Sequence, residues 1–521
     1  MKRELLNFIA AVGFVLLGGA LVLIVLVTTL FIFPDLTIFG AKAVKERDTQ
    51  IVYRDPGLTE AFANGKFILE STGTQIEVKM SNAGYEGAGT IVVNESASGI
   101  AFNSLSRTLV EWRQTLYNDE VYYRIKILEP SGMVFKDKPT TVTINLPHRA
   151  KSDEFLHDFV LENNYSTVNF SFVDNTVGQV DALKIDELVV KSATNVNIPA
   201  NENISLNKVE IKSNKTKFVC HSDVLGDVNV TGSYGAQTFN CKIGGSVNVA
   251  GNYNNFRGDE AGDVTYKNKK GYLALNEIGK LNVETVDAKV SIGTVNNGIT
   301  MTTTNGNLSV SEITNGGLNF TVGGITQPNA KANVAVDSIV GDVLVRNYGL
   351  GSVQLLDIVG NVDVKSSEVG AGKIRIGFSD EASNCSVKVL GYDGNIVVTG
   401  INGQADITVR NWENGAGAAN IEAQFNKVVG TENVIKAGGY LSGHHDWGNV
   451  DIKVDNDCNN FDLFVYGANS ANSSAKYGFK EENMYIIGEG EQEKSNKITV
   501  SQDGSSSGAV SVYTKQRFYL S

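Results

Sequence analysis

The sequence predicts an all-β chain: a parallel β-solenoid, or β-helix, of roughly 18-residue coils, with an N-terminal β cap and one transmembrane helix in front. Three observations predict it. The first is a five-residue phrase, Gly-x-Val-x-Val, that returns along the chain. It reads Gly226-Asp227-Val228-Asn229-Val230, and recurs at Gly245, Gly341, Gly360 and, with Ile for Val, at Gly394. Looser copies start at Gly262, Gly279, Gly306 and Gly448. From Gly226 through Gly245 and Gly262 to Gly279, and again from Gly341 to Gly360, the step is nearly constant. A fixed period of this size marks stacked, near-identical units. The second observation is composition: 54 glycines and 7 prolines in 521 residues suit many tight turns between strands. The third is an uncharged run at the amino terminus.

That run extends from Leu5 to Phe33. As a helix it measures roughly 44 Å, more than the ~30 Å of a hydrocarbon core. It is too long for the ~7–15-residue core of a secretory signal. An uncleaved membrane anchor is therefore expected, although Ala41-Lys42-Ala43 has the small-x-small form of a cleavage site. Residues 1–4 form a cytoplasmic stub. Pro34 and Asp35 stop the helix and open a juxtamembrane linker over 34–50. Lys2 and Arg3 on one side nearly balance Lys42, Lys45 and Arg47 on the other. Orientation therefore follows from the make-up of the remainder, rich in Asn, Thr and Gly and poor in His and Cys. The expectation is an amino terminus inside and the bulk of the chain extracytoplasmic, single-pass at the cell membrane.

Strands follow at Phe67–Ser71, Gln75–Met80, Gly89–Val93, Val121–Ile127 and Thr140–Pro147. They are longer than the later ones and lack the phrase, so 51–150 is expected to be a β-rich, sandwich-like cap that shields the open end of the array. Residues 151–521 form the repeat domain. Val290-Ser291-Ile292, Ile299-Thr300-Met301, Leu308-Ser309-Val310 and Leu318-Asn319-Phe320 add a half-period of about 9–10 residues, so each coil carries two or three short strands. Within the phrase, the two Val side chains share one face. Val343, Val345, Val362 and Val364 are thus expected to be buried neighbours, with Asp342, Leu344, Asn361 and Asp363 facing away or sitting at a turn. On that reading Asn361→Asp is an ordinary surface change.

Strand runs ending in Ile144-Asn145-Leu146-Pro147, followed by glycine-led β repeats, resemble the bacterial adhesin family built of β-strand repeats. They are also similar to the head domains called GIN domains of autotransporter adhesins. The resemblance covers about 130–515 and rests on pattern. It implies a right-handed β-solenoid displayed at a cell surface and carries no catalytic residues. The chain is similar, too, to the bactofilin group, from which this array differs in its length and irregularity.

A net charge of −12 argues against a nucleic-acid partner. Five histidines and four cysteines leave little for metal or nucleophile chemistry. Cys220 and Cys241 lie about one coil apart and could bridge or remain two buried thiols; Cys385 and Cys458 are expected to stay apart. His444-His445-Asp446 with Asp451 alternates faces if it is a strand, which spoils a chelate. Asp259-Glu260 and Asp455-Asn456-Asp457 lack the Gly and bidentate Glu of a calcium loop, so polar turns are expected. Trp112, Trp412 and Trp447 read as packing residues before glycan contacts. An enzyme acting on polysaccharide needs two carboxylates on one face, or a cation with a base; Asp342 and Asn361 fall in phase, as do Asp227 and Ser246, yet no position keeps a carboxylate through several successive coils, which tells against that reading. The expected function is a structural, adhesive or binding role without cofactor or metal. Membrane lipid would contact residues 5–33, and a surface glycan or protein would be the ligand. The alternatives are a polysaccharide-acting β-helix enzyme and an envelope sensor working through a partner.

Overall fold

The structure is a computed structural model and describes residues 2–44, 49–80, 89–147, 157–173, 182–322, 331–366, 373–392, 394–410, 419–437, 448–455, 461–466, 474–475, 496–500, 508–513 and 518–520. The described chain is mostly strand, with two helices. It divides into two compact units, the first of Met1–Asp227 with Gly235–Cys241, the second of Val228–Tyr234 with Lys242–Ser521.

In the first unit the helix Lys2–Ile32 leads. Its stretch Val12–Ile32 is long and apolar enough to cross a membrane, a property that a signal sequence shares. A second helix, Pro56–Asn64, was not expected, although its signals are in the sequence. Asp55 caps it by accepting the Gly57 N–H at 2.7 Å, Pro56 opens it, and Gly65 ends it in the left-handed region at φ 78°. Leu58, Ala61 and Phe62 bury its apolar side.

Two strand ladders make up most of the rest of this unit. In one, Lys66–Thr72 pairs in parallel with His157–Asn164, which pairs with Leu183–Val190, which pairs with Ile204–Ile211. In the other, Gln75–Met80 pairs with Ser166–Phe172, followed by Thr194–Ile198, Lys217–Cys220 and Ala236–Lys242. The regular pairing is thus from each strand to the next but one, so successive strands along the chain belong to alternate ladders. Residues 66–80 already take part in both. The outermost members are antiparallel: the hairpin Leu109–Tyr117/Glu120–Leu128 on one ladder, and Thr49–Tyr53 on Thr90–Glu95 on the other. A separate three-stranded antiparallel sheet joins Lys42–Val44, Ala97–Ala101 and Gly132–Lys136.

The second unit is a long parallel sheet in which the same rule holds, except that the 15-residue strands Val264–Ile278 and Leu281–Val295 run through both ladders and pair directly with each other. Val228, Val247, Val264, Leu281, Ile299, Leu318, Val343, Val362, Val387 and Ala405 stand in one register column. All ten are buried. Val345 and Val364 pair in the next inward column, also buried, while Leu344 pairs with Asp363 on the outer side and is 37% exposed. Each buried Val contributes about 1.5–3 kcal/mol.

The half-period corresponds to the second ladder, where Phe256, Leu273, Val290, Leu308, Val334, Val353, Ile374, Ile396, Ile421 and Val450 align. The phrases at Gly306, Gly394 and Gly448 lead into this ladder, so the phrase serves both and does not mark one column. Near the carboxyl end the next-but-one rule breaks. Gly508–Tyr513 sits between Asn433–Ala437 and Phe461–Tyr466, and Asn496–Val500 closes that side antiparallel.

The phrase glycine is required by close approach as much as by turning. A Cβ on Gly360 would lie 2.2 Å from the Gly341 carbonyl oxygen, and one on Gly226 would lie 2.4 Å from that of Asn207. Only a bare Cα lets one repeat settle this closely on another.

Candidate binding surface

In the second unit, Tyr234 and Tyr253 occupy the corner between the ladders, at equivalent positions of successive repeats. Both have φ 59°, a left-handed conformation uncommon for a bulky residue. Their rings stack with centroids 5.0 Å apart and planes inclined by 10°. They remain 59% and 45% exposed, so the stack is open to solvent. Lys270, one repeat on from Tyr253, places its Nζ 6.0 Å from the Tyr253 ring centre and 3.6 Å from Asp287. Beside this column lies a second: Tyr272 has the Arg257 guanidinium 5.3 Å from its ring centre, and Lys289 Nζ at 6.0 Å. Register puts Asn255, Tyr272, Lys289 and Asn307 in line on the outer face. Three tyrosines and three cations therefore share one surface of an acidic protein.

A buried polar bracket holds this corner. The Asn254 side chain donates to the Gly232 carbonyl at 2.7 Å, and the Asn254 carbonyl accepts from the Tyr266 hydroxyl at 2.9 Å. The Asn268 amide donates to the same carbonyl at 3.1 Å and to the Tyr266 oxygen at 2.7 Å. Burial pushes the Tyr266 hydroxyl up to about 12, against the lowering effect of the Asn268 amide. Thr285 Oγ1 then donates to the Asn268 carbonyl at 2.6 Å. The polar groups inside the corner are engaged with main chain and with one another, which fixes the two left-handed tyrosines above them.

Ladders of Asn side chains line other parts of the strands of this unit. The Asn248 amide donates to Asn229, Asn333 to Asn307, Asn420 to Asn395 and Asn449 to Asn420, at 2.8–3.1 Å. They tie one repeat to the next.

The first unit carries a different outer surface, built of matched charges. Arg124 bridges Glu70 at 2.8 Å and Glu162 at 2.6 Å, Lys126 adds Glu70 at 3.0 Å, and Lys191 reaches Glu162 at 3.4 Å. Lys66 lies between Glu120 and Asp158 at 2.6 and 3.0 Å, while Lys208 joins Glu187 and Glu210, both at 2.7 Å. Burial raises the Glu70 carboxyl, but the hydrogen bonds from Lys126 and Arg124 outweigh it and hold the group below its ordinary range. Glu210 is lowered by the same balance, against Lys208 and Lys212. These charges neutralise one another across strands and under them lie Ile68, Val160 and Val189, packed with Tyr122. The surface is internally satisfied, which fits packing better than ligand capture.

Cys220 and Cys241 are both free, buried thiols. The neighbouring Cys241 and burial push the Cys220 thiol well up, and it donates to the Ser222 carbonyl at 3.1 Å. Cys385 is a third buried thiol. Asp259 accepts from the Asn276 amide at 3.1 Å and Glu260 meets Lys242 at 3.2 Å, so both belong to cross-strand pairs. Among the described residues no group of His, Cys, Asp and Glu is arranged to hold a metal ion. Trp112 packs edge-on against Tyr53, with ring centres 5.7 Å apart. His444, His445, Asp446, Trp412, Trp447, Asn456, Asp457 and Cys458 lie outside the described residues. No protein-family model matches the chain, and no curated protein or solved structure matches it either.

Proposed function

We propose that the chain is a single-pass membrane protein whose extracytoplasmic part is a two-strand-per-coil β-solenoid serving as a binding scaffold. The next-but-one parallel pairing supports the solenoid, since a coil returning to its start after two strands produces that register. The exposed, apolar stretch Val12–Ile32 supports the anchor, and we propose an amino terminus inside on the make-up of the rest of the chain, rich in Asn, Thr and Gly and poor in His and Cys. The scaffold's ligand is an acidic surface polysaccharide, received on Tyr234, Tyr253 and Tyr272 with Arg257, Lys270 and Lys289. The single observation behind this is the open stack of Tyr234 on Tyr253, held in a strained backbone conformation. Aromatic edges and hydroxyls suit sugar rings, the interleaved cations suit acidic groups, and a row of repeats suits a linear polymer.

Full-length protein in detergent, passed over an immobilised acidic polysaccharide, is expected to bind in a salt-sensitive manner. The double variant Tyr234→Ser/Tyr253→Ser is expected to lose that binding while unfolding at the parent temperature. Equal retention of parent and variant would remove this surface from consideration.

A further inference from the structure

The three-stranded sheet of the first unit has an apolar face that the N-terminal helix only partly covers. Ala43 pairs with Ile100, and Ile100 pairs with Met133, so these three side chains share one face, and Phe135 opposite Ser98 extends it. The other face is accounted for, with Val44, Ala97 and Ala101 buried together against Val134. On the first face Ala43 and Ile100 form a buried cluster with Ala41 and Leu30, against which Leu26, Val27 and Ile38 pack. The last turns of the helix therefore lie on this sheet. Beyond them the same face runs on uncovered to Met133 and Phe135, the latter 72% exposed.

The turn before the first strand adds to it. Ile38 and Ala41 exchange both main-chain hydrogen bonds, at 3.0 and 2.8 Å, which leaves Phe39 and Gly40 as a two-residue tip with φ 49° and 79°. A tip of this form favours Asn or Gly at its first position. Here it holds a phenylalanine that is 100% exposed. Ser104 donates both its N–H and its hydroxyl to the Gly40 carbonyl, at 3.0 and 2.9 Å, which locks the tip beside the exposed Phe102.

We propose that this sheet is a membrane-interface foot: its helix-bearing face lies on the same bilayer that the helix crosses, with Phe39, Phe102, Met133 and Phe135 in the boundary between headgroups and acyl chains. The inference rests on the reading of the helix as a membrane anchor. Continuity commits the occupant. The face that continues past the helix is bounded by Leu26, Val27 and Leu30, on the last turns of the same apolar segment whose preceding turns would lie in lipid. Lipid around those preceding turns would reach Met133 and Phe135 along the same apolar face. The foot also accounts for the surplus of apolar helix, because a run of roughly 44 Å exceeds a ~30 Å core and its last turns find their apolar partner in the sheet. Aromatic and aliphatic side chains at this depth bind an interface by burying area in it. The consequence is a fixed posture, in which the first unit stands on the membrane in place of swinging from a linker.

The test uses the full-length chain in vesicles of phosphatidylcholine and phosphatidylglycerol. A photoreactive benzophenone analogue of phenylalanine replaces, one at a time, Leu17, Phe39, Phe135 and Tyr165. Leu17 reports the anchor, and Tyr165 is an exposed aromatic position of the same unit lying between the strands of its two ladders. The expected result is lipid adducts at 39 and 135 in yields comparable with that at 17, with none at 165. Adducts at 17 but not at 39 or 135 would overturn the foot and leave the anchor standing. Absence of adducts at 17 would overturn both.

Discussion

Asn361 donates both its main-chain N–H and its side-chain amide to one carboxylate oxygen of Asp342, at 3.0 and 3.1 Å. Its own side-chain oxygen then accepts the N–H and the hydroxyl of Ser386, each at 2.9 Å. The second position of the repeating phrase is thus a staple between successive repeats. Asn361→Asp removes the donor and sets two carboxylates against each other, so it is expected to cost about 1 kcal/mol, beyond an ordinary surface change. Asn361→Ser, which keeps a donor, is expected to recover part of that. Denaturant unfolding of the two variants reads the difference; indistinguishable midpoints with the parent would show that the staple is idle.

Val362 stands between Val343 and Val387 in the buried column. Val362→Asp leaves an unpaired charge there and is expected to cost more than about 3 kcal/mol. Val362→Ala, which only deletes methyl groups, is expected to cost less. A Val362→Asp protein that melts with the parent would overturn the stacked column.

The matched charges of the first unit make it sensitive to acid. Glu70 titrates below its unfolded value near 4.5, so its ion pairs contribute fully above that pH and are lost as pH falls through the lowered folded value. Glu210 acts in the same direction. The stability gap between the parent and Glu70→Gln is expected to be open at pH 7 and to narrow progressively below about pH 4.5. Urea titrations across that range check it, and a gap that widened in acid would refute the assignment.

Cys220 and Cys241 are expected to resist alkylation in the folded protein. The thiolate is the reacting form, and the neighbouring thiol together with burial raises Cys220 away from it. Mass spectrometry after iodoacetamide treatment should find both unlabelled natively and both labelled in denaturant without reductant. Failure to label in denaturant would mean that they are bridged.

Topology has a direct test. Protease added to intact spheroplasts is expected to digest the chain beyond the helix. Complete protection, with digestion after lysis, would reverse the proposed orientation.

The burial of the array was legible because the phrase states its own phase: Val343, Val345, Val362 and Val364 alternate with polar residues, and alternation survives any change in loop length. The assignment of phrases to ladders was not, since Gly394-Asn395-Ile396 has the same local pattern as Gly360-Asn361-Val362 but enters the other ladder. Local pattern records which side of a strand is apolar and carries no record of which strand lies beside it. The helix Pro56–Asn64 is short, and its capping pair Asp55 and Gly65 reads equally well as a loop. The tyrosine surface was hidden for a different reason. Tyr234 and Tyr253 sit at left-handed corner positions where Asn or Gly is the expected residue, so no propensity points to them. Their meaning appears only when the pairing of strands brings the two rings together.

Spacing along the first ladder of the second unit is uneven. The step from Val247 to Val264 is short, that from Leu318 to Val343 is longer, and that from Asp406 to Val434 is longer still. The ladder stays parallel across all of them. Mutations that add or remove residues therefore fall into two classes with opposite fates. Inside a strand, a one-residue deletion turns every following side chain to the wrong face. At a corner, an in-frame insertion is extruded and the column closes over it. Divergence among copies of such a gene is expected to accumulate as length polymorphism at the corners, and a foreign peptide spliced there would be displayed without disturbing the frame that carries it.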